Sequence, residues 1–206
     1  MSIVLSLQGC MAVGKTTALQ YIQEQAPYVN VSYELNDDVI EQIRSQRLKK
    51  NILKDYIEIQ KMWIAKEIER YRRARRFPCS IMDFGAEEIE FYTLNYPKTI
   101  GADWNVEERL HSELEKLRIC LPDRILFLDA SEHVLRNHKE NDETRSRAFF
   151  DHHLQRLLPL KKDWFIGREN VDILNVDNLS REQVGRRVKG WIDHCIRFHK
   201  NIMYQD

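Results

Sequence analysis

The chain has 206 residues, 32 Lys and Arg balanced by 32 Asp and Glu, and a formal net charge of zero. That length suits one domain with room for a helical lid, and the balanced charge supplies no field to draw it to nucleic acid or an anionic membrane. Charged residues make up 31%, no stretch has the apolar length of a membrane span and no secretory apolar segment opens the chain, so a soluble, cytoplasmic protein is expected.

Ile3-Val4-Leu5-Ser6-Leu7 has the composition of a buried strand, and Gly9-Cys10-Met11-Ala12-Val13-Gly14-Lys15-Thr16 follows it directly, with a helix beginning at Thr17-Ala18-Leu19. This is a complete G-x-x-x-x-G-K-[ST] phosphate loop in the strand–loop–helix order that its chemistry needs. The glycines let the backbone curl so that N–H groups of the loop, from Gly9 to Thr17, face a polyphosphate. Lys15 reaches the outer phosphates, and the Thr16 hydroxyl ligates Mg²⁺. A nucleoside triphosphate, ATP or GTP, is therefore the expected ligand. Cys10 lies inside the loop, open to thiol reagents but with no catalytic part. The other cysteines, at 79, 120 and 195, are too scattered for a disulfide framework or a zinc knuckle; Cys79 and Cys120 fit as small buried hydrophobes.

Strand and helix patterns alternate along the rest of the chain, which predicts a parallel sheet covered on both faces. Tyr28–Glu34 is the second expected strand, and Asp37-Asp38 opens a helix to about Lys49. A long helix is expected over Ile52–Arg76, with Leu53, Ile57, Ile64, Ile68 and Tyr71 at three- and four-residue steps. Gln60 falls on that apolar stripe. It is matched either by a core partner or by the edge of a nucleobase, because an unpaired buried amide costs about 1–3 kcal/mol. The basic run Arg70–Arg76 has the character of a solvated helix end. Cys79–Met82 is the third strand, ending at Asp83; Arg124–Asp129 is the fourth; Val171–Val176 is the fifth. Ser180 and Gln183 form a capping box for a last helix running to about His199. The result is an α/β fold with five parallel strands, one unit over residues 1–206 without a linker.

Ligands of such sheets bind beyond the carboxyl ends of the strands. Glu34, Asp83 and Asp129 leave three strands at that rim. Asp83 is the candidate general base and Mg²⁺ ligand, its competing role being a cap of the next helix. Glu34 is a candidate contact to acceptor hydroxyls, or else a solvated strand end. Asp129 precedes an ordinary helix start. Arg136, Arg145 and Arg147 flank a polar stretch expected to act as a lid, at about residues 136–148, which neutralises charge on transferring phosphate. Alternatively they pair with Glu140, Asp142 and Glu143 on the surface. The aromatic stretch Phe91–Tyr96 packs beneath the acceptor site, with Tyr92 lining it. Asp83-Phe84-Gly85 spells a protein-kinase metal motif, but the other kinase motifs are missing. The histidine pairs at 152–153 and 194, 199 lack metal-ligand spacing.

Taken together, these features resemble the small P-loop kinases of the nucleoside and nucleotide group, deoxynucleoside and thymidylate kinases among them, over nearly the whole chain. The resemblance implies ATP- and Mg²⁺-dependent phosphoryl transfer. It places Glu34 near an acceptor sugar, Gln60 as a base-reading glutamine and Asp83 as base. Pro122-Asp123 to Asp129, with Glu132, Arg136, Arg145 and Arg147, resembles the fourth strand and arginine lid of these enzymes. Two departures fall on the acceptor side: Phe84-Gly85 stands where those kinases carry Arg and Ser, and Glu34-Leu35 where they carry Glu-Pro. The expected partner is a small-molecule acceptor, with neither membrane nor nucleic acid, and a homodimer is left open. Competing readings are a kinase of a non-nucleoside metabolite, a switch ATPase with no acceptor, and a nucleic-acid end kinase using Arg70–Arg76.

Overall fold

The computed structural model describes residues 2–140 and 147–203; for Arg147, Ala148 and residues 200–203 it describes the backbone alone. Strands β1 (Ile3–Gly9), β2 (Asn30–Ser32), β3 (Cys79–Asp83), β4 (Arg124–Asp129) and β5 (Val171–Asn175) are all parallel and lie in the order β2-β3-β1-β4-β5. The expected five-stranded α/β sheet is present. All seven residues of β1 are buried, as a central parallel strand covered on both faces requires. The second strand is shorter than its alternating pattern suggests: at the sheet's edge it has only β3 beside it, and the ladder keeps three residues.

The helices in chain order are α1 (Lys15–Gln25), α2 (Asp37–Ser45), α3 (Leu53–Ala74), α4 (Ala86–Thr99), α5 (Val106–Arg109), α6 (His111–Arg118) and α7 (Glu132–Glu140). Then come α8 (Arg147–His152), a π-helical turn (His153–Leu157), α9 (Leu158–Phe165) and α10 (Arg181–Met203). The capping box forms as expected: Ser180 N–H donates to Gln183 Oε1 at 2.7 Å and Gln183 N–H donates to Ser180 Oγ at 3.2 Å.

The pleat of β1 sorts its side chains. Ile3, Leu5 and Leu7 join a core with Ala18, Leu19 and Ile22 of α1 and Val184, Val188 and Ile192 of α10. On the other face Val4 meets Ala74 of α3, while Ser6 and Gln8 are buried polar residues that donate to the Glu87 carboxylate of α4. α3 packs on α4 and α6, with Tyr56, Ile57 and Ile64 buried against Tyr96, Leu114 and Leu117. The long helix ends at Ala74, and its basic run is not uniformly solvated: Arg72, Arg73, Arg75 and Arg76 are exposed but Arg70 is buried.

α10 lies against α1 at Gly185, where an added Cβ would come within 2.7 Å of Tyr21 Cδ1. Gly185→Ala gains helix propensity, yet the rigid ring must shift, and overpacking of this kind costs about 1–3 kcal/mol. Urea denaturation should show a lower midpoint for this variant; an equal or higher midpoint would mean that the two helices separate without penalty.

Candidate active site at the carboxyl edge of the sheet

β1 is flanked by β3 and β4, and the chain leaves it first to one side and later to the other, which opens a crevice at the carboxyl end of β1. The phosphate loop fills that position. Gly9, Ala12 and Gly14 have φ of 138°, 64° and 101°, so three left-handed residues curl the loop. At Gly9 the conformation is matched by crowding: a Cβ there would sit 2.5 Å from the Leu128 carbonyl oxygen of β4. Gly14 caps α1 with no side-chain hydrogen bond, which leaves the first N–H groups of the helix open to an anion. Lys15 is buried, and its Nζ donates to the carbonyls of Cys10 at 2.9 Å and Gly9 at 3.4 Å. Burial pushes its pKa down to about 8, with Asp83 opposing the shift and Lys161 adding to it.

Asp83 reaches the same crevice because it ends β3 in register with Leu7 of β1. Its Oδ1 is buried without a hydrogen-bond partner. Phe84, next in the chain, has φ of 57°, a left-handed conformation strained for a bulky residue. Arg70 holds this strained turn. Its guanidinium donates to the carbonyls of Ser32 (3.1 Å), Asp83 (3.1 Å) and Phe84 (2.9 Å), and pairs with Glu67 at 2.9 Å. One buried side chain thus ties the ends of β2 and β3 together.

A cavity of about 970 Å³ opens at the loop. Gly14, Lys15, Thr16 and Thr17 line it together with Glu34, Asp83, Phe84, Glu88, Tyr92 and Phe149. The α7 end covers the loop, with His138 Nδ1 3.0 Å from the Ala12 carbonyl oxygen. His153 of the π-helical turn also lines the cavity, and its Nδ1 is 3.5 Å from Cys10 Sγ. Burial, reinforced by Lys161 and Lys15, holds His153 well below its ordinary pKa, and burial raises the Cys10 thiol. Cys10, 2% exposed, is shielded from thiol reagents, contrary to the expectation from its place in the loop. Glu34 lines the cavity with its side chain open to solvent.

The structure brings Met11, Ala12, Gly14, Lys15, Thr16, Thr17, Glu34, Asp83 and Tyr92 to one cavity. Gly9, Cys10 and Val13 complete the loop behind it. Two expected residues are elsewhere. Gln60 is buried and accepts a hydrogen bond from Thr93 Oγ1 at 2.8 Å, and it is not among the residues lining the cavity. Arg136 does not line the cavity; it is paired with Glu132 at 2.7 Å and Asp151 at 3.0 Å. These partners differ from the surface acids weighed from sequence, because Glu132 is one helical turn earlier and Asp151 arrives from α8. Asp129 is paired with Lys162 at 2.7 Å and stays outside the cavity. Arg145 and the Arg147 side chain lie outside the described residues.

Sequence reasoning missed Arg70, Glu88, His138, His153 and Lys161. Arg70 had a local signal: Glu67 and Arg70, three apart, extend the stripe through Ile57, Gln60 and Ile64. Glu88 sits in the first turn after Asp83. Nothing local marks Lys161, which is surrounded by ordinary helix.

Chemically, the site sets a buried lysine and open helix amides facing a carboxylate with a free oxygen, in a recess with an acidic and aromatic far wall. The fold is similar to that of a deoxyadenosine kinase from M. mycoides, in a structure with the products dCMP and a flexible dCDP bound. The TM-score is 0.66 at 11% identity, over 93% of this chain and 100% of that one. No family model matches the chain, and no curated protein sequence matches it.

The lowered pKa of Lys15 has a signed consequence. Above about pH 8 the empty loop favours neutral Lys15, whereas phosphate oxygens favour the ammonium, so an anionic ligand must draw a proton from solvent there. Calorimetric titration of ATP in two buffers of different protonation enthalpy, at about pH 8.5, should register proton uptake that fades towards neutrality. Uptake that is absent, or that grows as the pH falls, would contradict the desolvated lysine.

Proposed function

We propose that the protein is an ATP- and Mg²⁺-dependent phosphotransferase whose acceptor is a neutral, hydroxyl-bearing small molecule, in the first instance a nucleoside. The observation that carries this reading is the shared cavity of Lys15 and Asp83, with Asp83 Oδ1 unpartnered. A buried carboxylate oxygen left without a donor is suited to a proton or a cation that the ligands bring.

The Thr16 hydroxyl and the Asp83 carboxylate are hard oxygen donors that fit Mg²⁺, which when bound would neutralise phosphate charge. Loop amides and Lys15 bind the outer phosphates of ATP. Asp83 accepts the proton of the acceptor hydroxyl, the freed oxygen forms a bond to the γ-phosphorus, and the bond from that phosphorus to the β–γ bridging oxygen breaks. ADP leaves with the electron pair, and Asp83 returns its proton to solvent. Arg145 and Arg147 are retained from the sequence pattern as the residues that neutralise the transferring group.

The acceptor wall favours a nucleoside over a nucleotide. Glu34, Asp83 and Glu88 line it together, and Glu88 is paired with Lys161 at 2.7 Å; the other two carboxylates accept hydrogen bonds from hydroxyls and repel a second phosphate. Tyr92 and Phe149 on the same wall offer surfaces for a flat ring.

A panel of nucleosides, nucleotides and sugars incubated with ATP and Mg²⁺ should yield a phosphorylated nucleoside. Asp83→Asn should lower that turnover by about 10²–10⁴-fold. Steady phosphate release with no acceptor consumed, unaffected by Asp83→Asn, would replace the kinase reading with a nucleotide switch.

A further inference from the structure

His152 and His153 meet at the junction of α8 and the π-helical turn, and they serve different surroundings. His152 Nε2 lies 3.2 Å from Thr99 Oγ1 of α4. His153 lines the cavity that also holds Lys15 and Asp83, and it is 6% exposed. Its Nδ1 is 3.5 Å from Cys10 Sγ of the phosphate loop, and its ring centroid is 6.5 Å from that of Phe149. Among the described residues none hydrogen-bonds Nε2. A polar nitrogen buried on a cavity wall with no protein partner is suited to one that a ligand supplies. Turns of the π-helical kind are themselves frequent at functional sites.

The partners of the ring assign its hydrogen. The Met11 N–H already acts on the Cys10 sulfur as a donor, so the thiol proton is directed elsewhere, to Nδ1, which accepts it. An uncharged imidazole that accepts at one nitrogen donates at the other, and the ring hydrogen therefore sits on Nε2. The surrounding charges decide what that N–H meets. Burial, Lys161, Lys15 and His152 all disfavour a second proton on the ring. The same cationic surroundings favour an anion beside it. A neutral hydroxyl gains little from such a field, whereas a phosphate oxygen gains much.

We propose that His153 is a phosphate-binding residue of this site: its Nε2–H donates to an oxygen of the polyphosphate seated in the loop, and the Cys10 thiol holds the ring in the tautomer that can do so. The proposal rests on the reading of the loop as a triphosphate site, but it needs no acceptor and no turnover.

Affinities for ATP and for inorganic tripolyphosphate, measured by calorimetry on the wild type, H153M and H153Q, test it. H153M removes the donor, whereas the side-chain amide of H153Q returns an N–H near the place of Nε2. H153M should weaken both ligands about tenfold, and H153Q should stay within about threefold of the wild type. Equal losses in the two variants, or unchanged affinity in H153M, would overturn the proposal. A loss confined to ATP, or one seen only in the KM of the acceptor, would move the contact off the phosphates and overturn it equally. Nitrogen-15 NMR of the wild-type imidazoles, with the His153 signals identified by their absence from H153Q, gives a readout that a merely structural role would not move. The hydrogen should reside on Nε2, and the Nε2 signal should shift when tripolyphosphate is added. A hydrogen on Nδ1, or an Nε2 signal that tripolyphosphate leaves unmoved, would contradict the proposal even if H153M does not fold. A wild-type protein that binds neither ligand would sink the triphosphate reading itself; binding that is indifferent to H153M removes only the role of His153.

Discussion

Gly9 leaves β1 in a left-handed conformation, pressed against the Leu128 carbonyl of β4 with no space for a Cβ. That contact fixes where the backbone turns off the sheet, and the site is built outward from the turn. The carbonyl of Gly9 becomes the anchor for two lysines, the open amides of α1 follow from the curl, and the neighbouring strand β3 delivers Asp83 to the same crevice. A buried parallel strand ending in such a loop has all its own ladder bonds satisfied, so the polar groups left over at its end are available for a ligand.

The β3 side of the cavity is held by a different device. Phe84 occupies a left-handed conformation, a strain of about 1–3 kcal/mol for a residue with a bulky side chain. The strain persists because Arg70 collects three carbonyls at the ends of β2 and β3 and because the Phe84 ring lies against both lysines. A buried Arg–Glu pair is weak evidence of stability in itself. Here the pair of Arg70 and Glu67 is explained by geometry: it fixes the backbone from which Asp83 projects. Strain and buried charge are thus concentrated around the groups assigned to the reaction, away from the apolar cores on the two faces of the sheet.

What could be read from sequence was what local chemistry dictates. The phosphate loop, the five strands and the Ser180–Gln183 capping box depend on residues close in the chain, and their patterns survive in the structure. Glu34 and Asp83 were legible as neighbours because strand ends of a parallel sheet share one edge; Tyr92 reaches the same cavity from α4. The rest depends on partners distant in sequence. Gln60 lies on the predicted stripe, but its partner Thr93 comes from another helix. Arg136 has a lid-like position in the chain, but its partner Asp151 comes from α8. Lys161 carries no pattern of its own; its meaning comes from Glu88 and Gly9, 73 and 152 positions away. The edge strand β2 was overestimated because its alternation continues past the point where β3 offers a partner.

The account's central claim is that the loop from Gly9 to Thr16 seats a polyphosphate, with Lys15 as its ammonium contact. A structure of the protein with ADP and Mg²⁺ tests this most directly. The expected result is a β-phosphate against the amides that open α1, with Lys15 Nζ bonded to it. A nucleotide bound elsewhere, or a phosphate seated in the loop out of reach of Lys15, would contradict the account.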